Sequence, residues 1–162
     1  MNVQNIQLLF DYNYWANNRL LAAAAQISEA QFLAPSTFGL ESLRDILTHV
    51  LGAEMAWRLR CEQVFDVPEP PLPATLQILI QQWRAEEAAM RRYLQSVKDA
   101  DLDRGITYPI DEGKTRTRVL WHILVHVVNH GTQHRSEAAA LLTSYGHSLG
   151  DTDFTVFLNS RS

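Results

Sequence analysis

The sequence carries one cysteine, Cys61, in 162 residues. A lone thiol closes no intramolecular disulfide and builds no cysteine-type zinc cluster. Its surroundings predict a small, half-buried residue near a helix end. There is no excess of positive charge either. Fourteen Lys and Arg stand against 18 Asp and Glu, for a net charge of -4, and Arg91-Arg92 is the only adjacent basic pair. Nucleic-acid binding needs a basic patch or stripe, so it is not expected. No apolar run approaches the roughly 20 residues that span a bilayer. Asn, Gln and Asp interrupt the N-terminus where a secretory signal needs an apolar core. These absences point to a cytoplasmic protein without a membrane partner. A Gly-rich phosphate loop and a Ser-His-Asp order are also missing.

What is present is helical periodicity. The length fits one domain, residues 1–162, large enough to bury a core without a disulfide. A first stretch, about 3–27, places Ile6, Leu9, Phe10, Asn13, Ala16, Leu20, Leu21 and Ala24 mostly on one stripe. Ser28 could open a further short turn, and Pro35 and Gly39 mark a loop. A second stretch, about 42–60, starts with Ser42 and Asp45 in a capping arrangement. Its apolar face is Leu43, Ile46, Leu47, Val50, Ala53 and Trp57. The PEPPLP segment, 68–73, cannot continue a helix and reads as a stiff connector.

A third stretch, about 75–97, is capped by Thr75, with Leu76, Leu79, Ile80, Trp83, Glu87, Met90 and Leu94 on its face. Ile106 to Thr117 reads as a small hairpin turning at Glu112-Gly113. A fourth stretch, about 117–145, is stopped by Gly146. The apolar tail, ending in Asp-Phe-Thr-Val-Phe, is expected to dock back. The expectation is all-α: a four-helix bundle, of up-down-down-up type, with a small hairpin before the last long helix.

The fourth stretch carries His122, His126, His130 and His134 at i, i+4 spacing. Imidazoles one turn apart can close on one metal ion. Each i+4 step drifts about 40° around the helix, so all four cannot share an ion. Leu120, Ile123, Leu124, Val127, Gly131, Ala138, Leu141 and Leu142 define the buried stripe. With Leu120 at zero, His134 falls at about -40°, His130 at about -80°, His126 at about -120° and His122 at about -160°. His130 and His134 are the inward pair. His126 is marginal and reads as hydrogen-bonding support, and His122 should face solvent or a partner. His49, at the edge of the second stretch's apolar face, is the natural third ligand. Three histidines with an open position match catalytic rather than structural zinc. A pair at this spacing also arises by chance in helices, as imidazoles that are simply hydrogen-bonded.

Other segments add a resemblance. FDYNYWANNRLL (10–21), LRDILTHVLGAEMAWRLR (43–60), LGDTDFTVFL (149–158) and above all HVVNHGTQHR (126–135) resemble, in order and spacing, the DinB-like superfamily of metal-binding four-helix bundles. The resemblance covers nearly the whole chain. It implies that the family's metal-binding histidines fall on His49, His130 and His134, the positions the helical wheel selects. One departure stands out: where the family often has HRGQ, this chain has His134-Arg135-Ser136-Glu137. The negative charge of Glu137 bears on either dimer packing or the pocket.

Relatives in that superfamily include thiol-dependent S-transferases and a maleylpyruvate isomerase. The resemblance therefore implies a metal-dependent enzyme, a thiol S-transferase or hydrolase-like, acting on a small-molecule thiol or electrophile. The cofactor expected is a divalent ion, zinc or nickel ahead of iron, since imidazole suits all of them. An open metal position lowers the pKa of a bound water or thiol, or polarises a carbonyl. The rival is a non-catalytic, metal-stabilised stress-response or interaction module. No general base stands out. Glu54 falls inside the apolar arc of the second stretch, with an interhelical salt bridge or hydrogen bond as its ordinary reading. Asn13 and Asn17 line a pocket or serve packing or surface roles, and Tyr12, Trp15 and Trp57 are expected in core or interface rather than as substrate platforms. The apolar tail and the tryptophans lead to an expected homodimer.

Overall fold

The computed structural model describes residues 1–36, 42–65 and 72–161. The loop residue Gly39 and most of the proline connector, 68–71, lie outside the described residues. Among the described residues six α-helices and a two-stranded hairpin follow in order: α1 (Val3–Ala24), α2 (Glu29–Leu33), α3 (Leu43–Cys61), α4 (Leu76–Ser96), β1 (Gly105–Pro109), β2 (Thr115–Val119), α5 (Leu120–Ser144) and α6 (Phe154–Asn159). The chain is mostly helical, as the periodicity predicts.

Local chemistry sets the boundaries. Asn2, Ser28, Ser42 and Thr75 each cap a helix by accepting a backbone N–H with the side chain. The first helix stops at Ala24 rather than Ile27. Ser28 and Gln31 form a reciprocal capping box there, and it starts α2 instead. The last long helix begins at Leu120 rather than Thr117, because Thr117 to Val119 pair with Thr107 to Gly105 in the hairpin. Leu120 and Trp121 donate their N–H groups to the carbonyls of Arg104 and Leu102, at 2.9 and 3.1 Å. The segment leading into the hairpin thus satisfies orphan donors that no side chain caps. The hairpin's strands are joined by a 3-10 turn, Asp111–Gly113, rather than a tight two-residue turn. At the other end of α5, Gly146 takes φ 87°. His147 N–H reaches Leu142 O and Gly146 N–H reaches Thr143 O, closing a Schellman motif.

Each of the four long helices packs on two others: α5 on α1 and α3, and α4 on α3 and α1. The core between them falls into two apolar clusters. One holds Phe10, Tyr14, Met90, Leu120 and Val127 toward the hairpin end. The other holds Leu20, Leu47, Leu79, Ala138 and Leu142 at the opposite end. Between them runs a layer of buried polar side chains: Asn13, Asn17, Glu54, Glu86 and Arg135. The tail docks as expected, with Phe154 and Phe157 of α6 against Tyr12 and Phe157 against Trp15. Among the described residues no helix is long and apolar enough to cross a membrane.

Candidate metal centre

The histidine ladder runs along α5 beside the polar layer, where α5 faces α3. One helical turn brings the rings of His130 and His134 to 4.5 Å between centroids. His49 reaches across from α3, its ring 4.9 Å from His130 and 4.6 Å from His134. Each of the three offers a ring nitrogen, and these atoms all lie within 4.8 Å of one another. Among the described residues this is the one cluster of three or more His, Cys, Asp or Glu so arranged. His49 is exposed and the other two are half-buried, so the cluster opens to solvent on the α3 side.

Nε2 of His49 lies 3.1 Å from Nε2 of His130. Two lone pairs facing each other at that distance repel, and a shared proton or an intervening cation removes the repulsion. Zinc–nitrogen bonds of about 2.0–2.1 Å at a tetrahedral angle would separate two ligand nitrogens by roughly 3.3 Å. The donor set therefore fits a divalent ion. Its electrostatics agree. Burial, together with His134, His49 and His126, pushes His130 down to about 4. Burial and His134 also lower His49. Both stay neutral at neutral pH, the form that coordinates metal.

Glu137 answers the question left by the HRSE departure. Its Oε2 lies 2.7 Å from Nδ1 of His134, three residues back on the same helix. A carboxylate only accepts, so Nδ1 carries the hydrogen, and in the neutral ring that leaves the lone pair on Nε2. His126 and His122 stay outside. The His126 ring is 5.7 Å from that of His130 and packs edge-on to Trp57 at 5.3 Å. His122 is exposed and packs against Trp121.

The buried layer behind the cluster centres on a residue that sequence reasoning passed over. Arg135 is only 5% exposed. Its guanidinium donates to Oδ1 of Asn13, to Oδ1 of Asn17 at 2.9 Å and to Oγ1 of Thr132 at 2.7 Å. Asn13 in turn donates to Glu54 at 3.2 Å, and the Tyr14 hydroxyl donates to the other Glu54 oxygen at 2.7 Å. Burial pushes the Glu54 carboxyl up to about 7, against the opposing hydrogen bonds from Tyr14 and Asn13. Gly131 leaves the room: a Cβ there would meet Nη1 of Arg135 at 2.9 Å and Oδ1 of Asn13 at 3.0 Å. Asn13 and Asn17 thus hold an arginine rather than line an open pocket.

On α4 the buried acid is Glu86, not the Glu87 that the period selects. Glu86 meets Arg58 at 2.6 and 2.7 Å, while Glu87 sits at the rim with Arg91. Cys61, the last residue of α3, is buried rather than half-buried, and burial pushes its thiol up to about 11. A deeply buried, protonated thiol is inert.

Comparison with known proteins places this geometry among relatives. The model of the DinB family matches residues 1–161. Protein DinB of Bacillus subtilis (strain 168) is 26% identical over 162 residues, covering 93% of this chain and 91% of that protein. A crystal structure of a DinB-like protein from Bacillus cereus ATCC 10987 superposes with a TM-score of 0.74 at 16% identity. It covers 93% of this chain and 97% of that one. At that identity the structural likeness speaks for the fold.

Proposed function

The chain belongs to the DinB family, and from that premise we propose that His49, His130 and His134 bind one divalent metal ion at the open site of a metal-dependent enzyme. The observation that carries the reading is the convergence of three ring nitrogens within 4.8 Å, with no cysteine or carboxylate among the described residues joining them. Three imidazole nitrogens and an open side are the donor set of a catalytic centre. Zinc or nickel is the first choice, with iron next. When bound, such an ion lowers the pKa of a thiol or water and polarises a carbonyl.

The chain's own residues do the rest. Glu137 fixes the tautomer of His134. Burial keeps His49 and His130 unprotonated. The exposure of His49 leaves the centre reachable from solvent. The reaction class is thiol S-transfer or hydrolysis, with a small-molecule thiol and an electrophile as substrates. A single-domain, up-down-down-up four-helix bundle, a homodimer and a cytoplasmic setting complete the reading.

One observation favours the non-catalytic alternative, a metal-stabilised interaction module. Glu54, the carboxylate whose pKa suits a general base, is engaged by Tyr14 and Asn13 inside the core. The two readings separate in one assay. Untagged wild type and His130→Ala, each with zinc or nickel, are given cysteine and monochlorobimane. The enzyme reading expects metal-dependent thioether formation that the variant lacks. A melting temperature raised by metal, with no added rate, supports the module instead.

A further inference from the structure

Beyond the three histidines the ladder leads into a recess of about 390 Å³, within the size range of small-ligand pockets. Trp57, Tyr108, Arg116, Arg118, His122 and His126 line it. The hairpin register pairs Tyr108 with Arg116 and Ile106 with Arg118. Cross-strand partners share a face, and Ile106 and Tyr108 are the buried residues of β1. The face of β2 that turns toward the helices therefore carries two arginines, both exposed, where an apolar pair would ordinarily seal the core.

The opposite face is conventional, with Thr107 and Thr117 hydrogen-bonded at 2.8 Å. Arg60 of α3 stacks on the same two aromatic rings but lines the neighbouring cavity rather than this recess. The Arg60 guanidinium lies 4.7 Å from the Trp57 ring centroid and 5.4 Å from that of Tyr108. Among the described residues no acidic residue lines the recess. Among the described residues neither Arg116 nor Arg118 meets a carboxylate. In a chain of net charge -4, two arginines that line a recess beside aromatic walls and meet no carboxylate have the chemistry to take an oxyanion.

The recess adjoins the centre. Trp57 packs on His126 at 5.3 Å, and His126 lies 5.7 Å from His130. We propose that this recess binds the carboxylate or phosphate end of the small molecule whose reactive end reaches the three histidines. Arg116 and Arg118 grip the oxyanion, and Trp57 and Tyr108 pack on its body. The inference rests on the proposed function only for which end of the ligand faces the centre; anion binding itself requires no metal.

The test follows the Trp57 indole N–H by NMR in the metal-free protein, titrated separately with succinate and with inorganic phosphate. Wild type is compared with the Arg116→Gln/Arg118→Gln double variant. Both arginines are exposed, so the fold is expected to persist, and Arg84→Gln on α4 is the charge control. Saturable binding of either anion, at least tenfold weaker in the double variant and unchanged in the control, bears the proposal out. The anion that binds identifies the headgroup class. No saturable binding in wild type, or equal binding in the double variant, overturns it. Zinc titration of the same samples reports on the metal centre independently, so failure of one reading does not masquerade as failure of the other.

Discussion

Glu137 holds His134 by Nδ1 at 2.7 Å. The contact spans less than one turn of α5, on a ring whose centroid lies 4.6 Å from that of His49 and 4.5 Å from that of His130. A carboxylate behind a ligating imidazole fixes its orientation and raises its basicity.

Glu137→Ala should therefore weaken zinc or nickel binding by about 10- to 100-fold without unfolding the chain. Competition against a chelating dye measures this directly. An unchanged affinity would reduce the contact to a helix-surface ion pair.

The buried layer makes a prediction about pH. In the unfolded chain Glu54 loses its proton near 4.5, and in the fold it keeps it up to about 7. Between those values the folded state binds more protons. The contribution of Glu54 to stability therefore falls as pH rises from about 4.5 to 7 and levels off above that. The gap corresponds to about 3 kcal/mol. Glu54→Gln imitates the protonated acid and should gain on wild type by up to that amount across the window. Urea denaturation of both proteins at pH 4.5 and 7.5 reads the difference. His130 acts in the opposite sense, because its pKa in the fold is about 4 against an ordinary 6.5. The unfolded state then binds more protons between those values, and stability falls as pH drops through them. That effect is common to both proteins and cancels.

Gly131 offers a test of the Arg135 pocket. Alanine is the better helix former by about 1 kcal/mol, so on propensity alone Gly131→Ala would stabilise. Here the added methyl meets a guanidinium pinned by Asn13, Asn17 and Thr132. Overpacking and the disturbed buried hydrogen bonds outweigh propensity, and a net loss of about 1–3 kcal/mol is expected. A variant as stable as wild type would mean that Arg135 moves freely.

The cluster itself was legible in the sequence because a helix converts spacing into direction. The wheel that put His130 and His134 near the apolar stripe and His122 away from it matches their burial. The capping residues Ser28, Ser42 and Thr75 were legible for the same reason: their partners are three residues away. Arg135 was readable in principle. On that wheel it falls at about 60°, inside the stripe, and a charge there signals a buried partner. Its partners Asn13 and Glu54 also lay inside apolar arcs, but the link between three helices distant in sequence is a matter of packing. The Glu137 contact was beyond the sequence, since it depends on a side-chain rotamer. So was the arginine face of β2, which exists only once the strand register is fixed. The same pairing took Thr117 to Val119 away from the last helix.

The central claim is that three histidines hold one ion. Its most direct test is the metal content of untagged protein, equilibrated with zinc or nickel and then dialysed, for wild type, His130→Ala and His126→Ala. The account predicts about one ion per chain in wild type and in His126→Ala, and none retained in His130→Ala. No ion in wild type, or equal retention in His130→Ala, would contradict it and leave the ladder as a packing feature of α5.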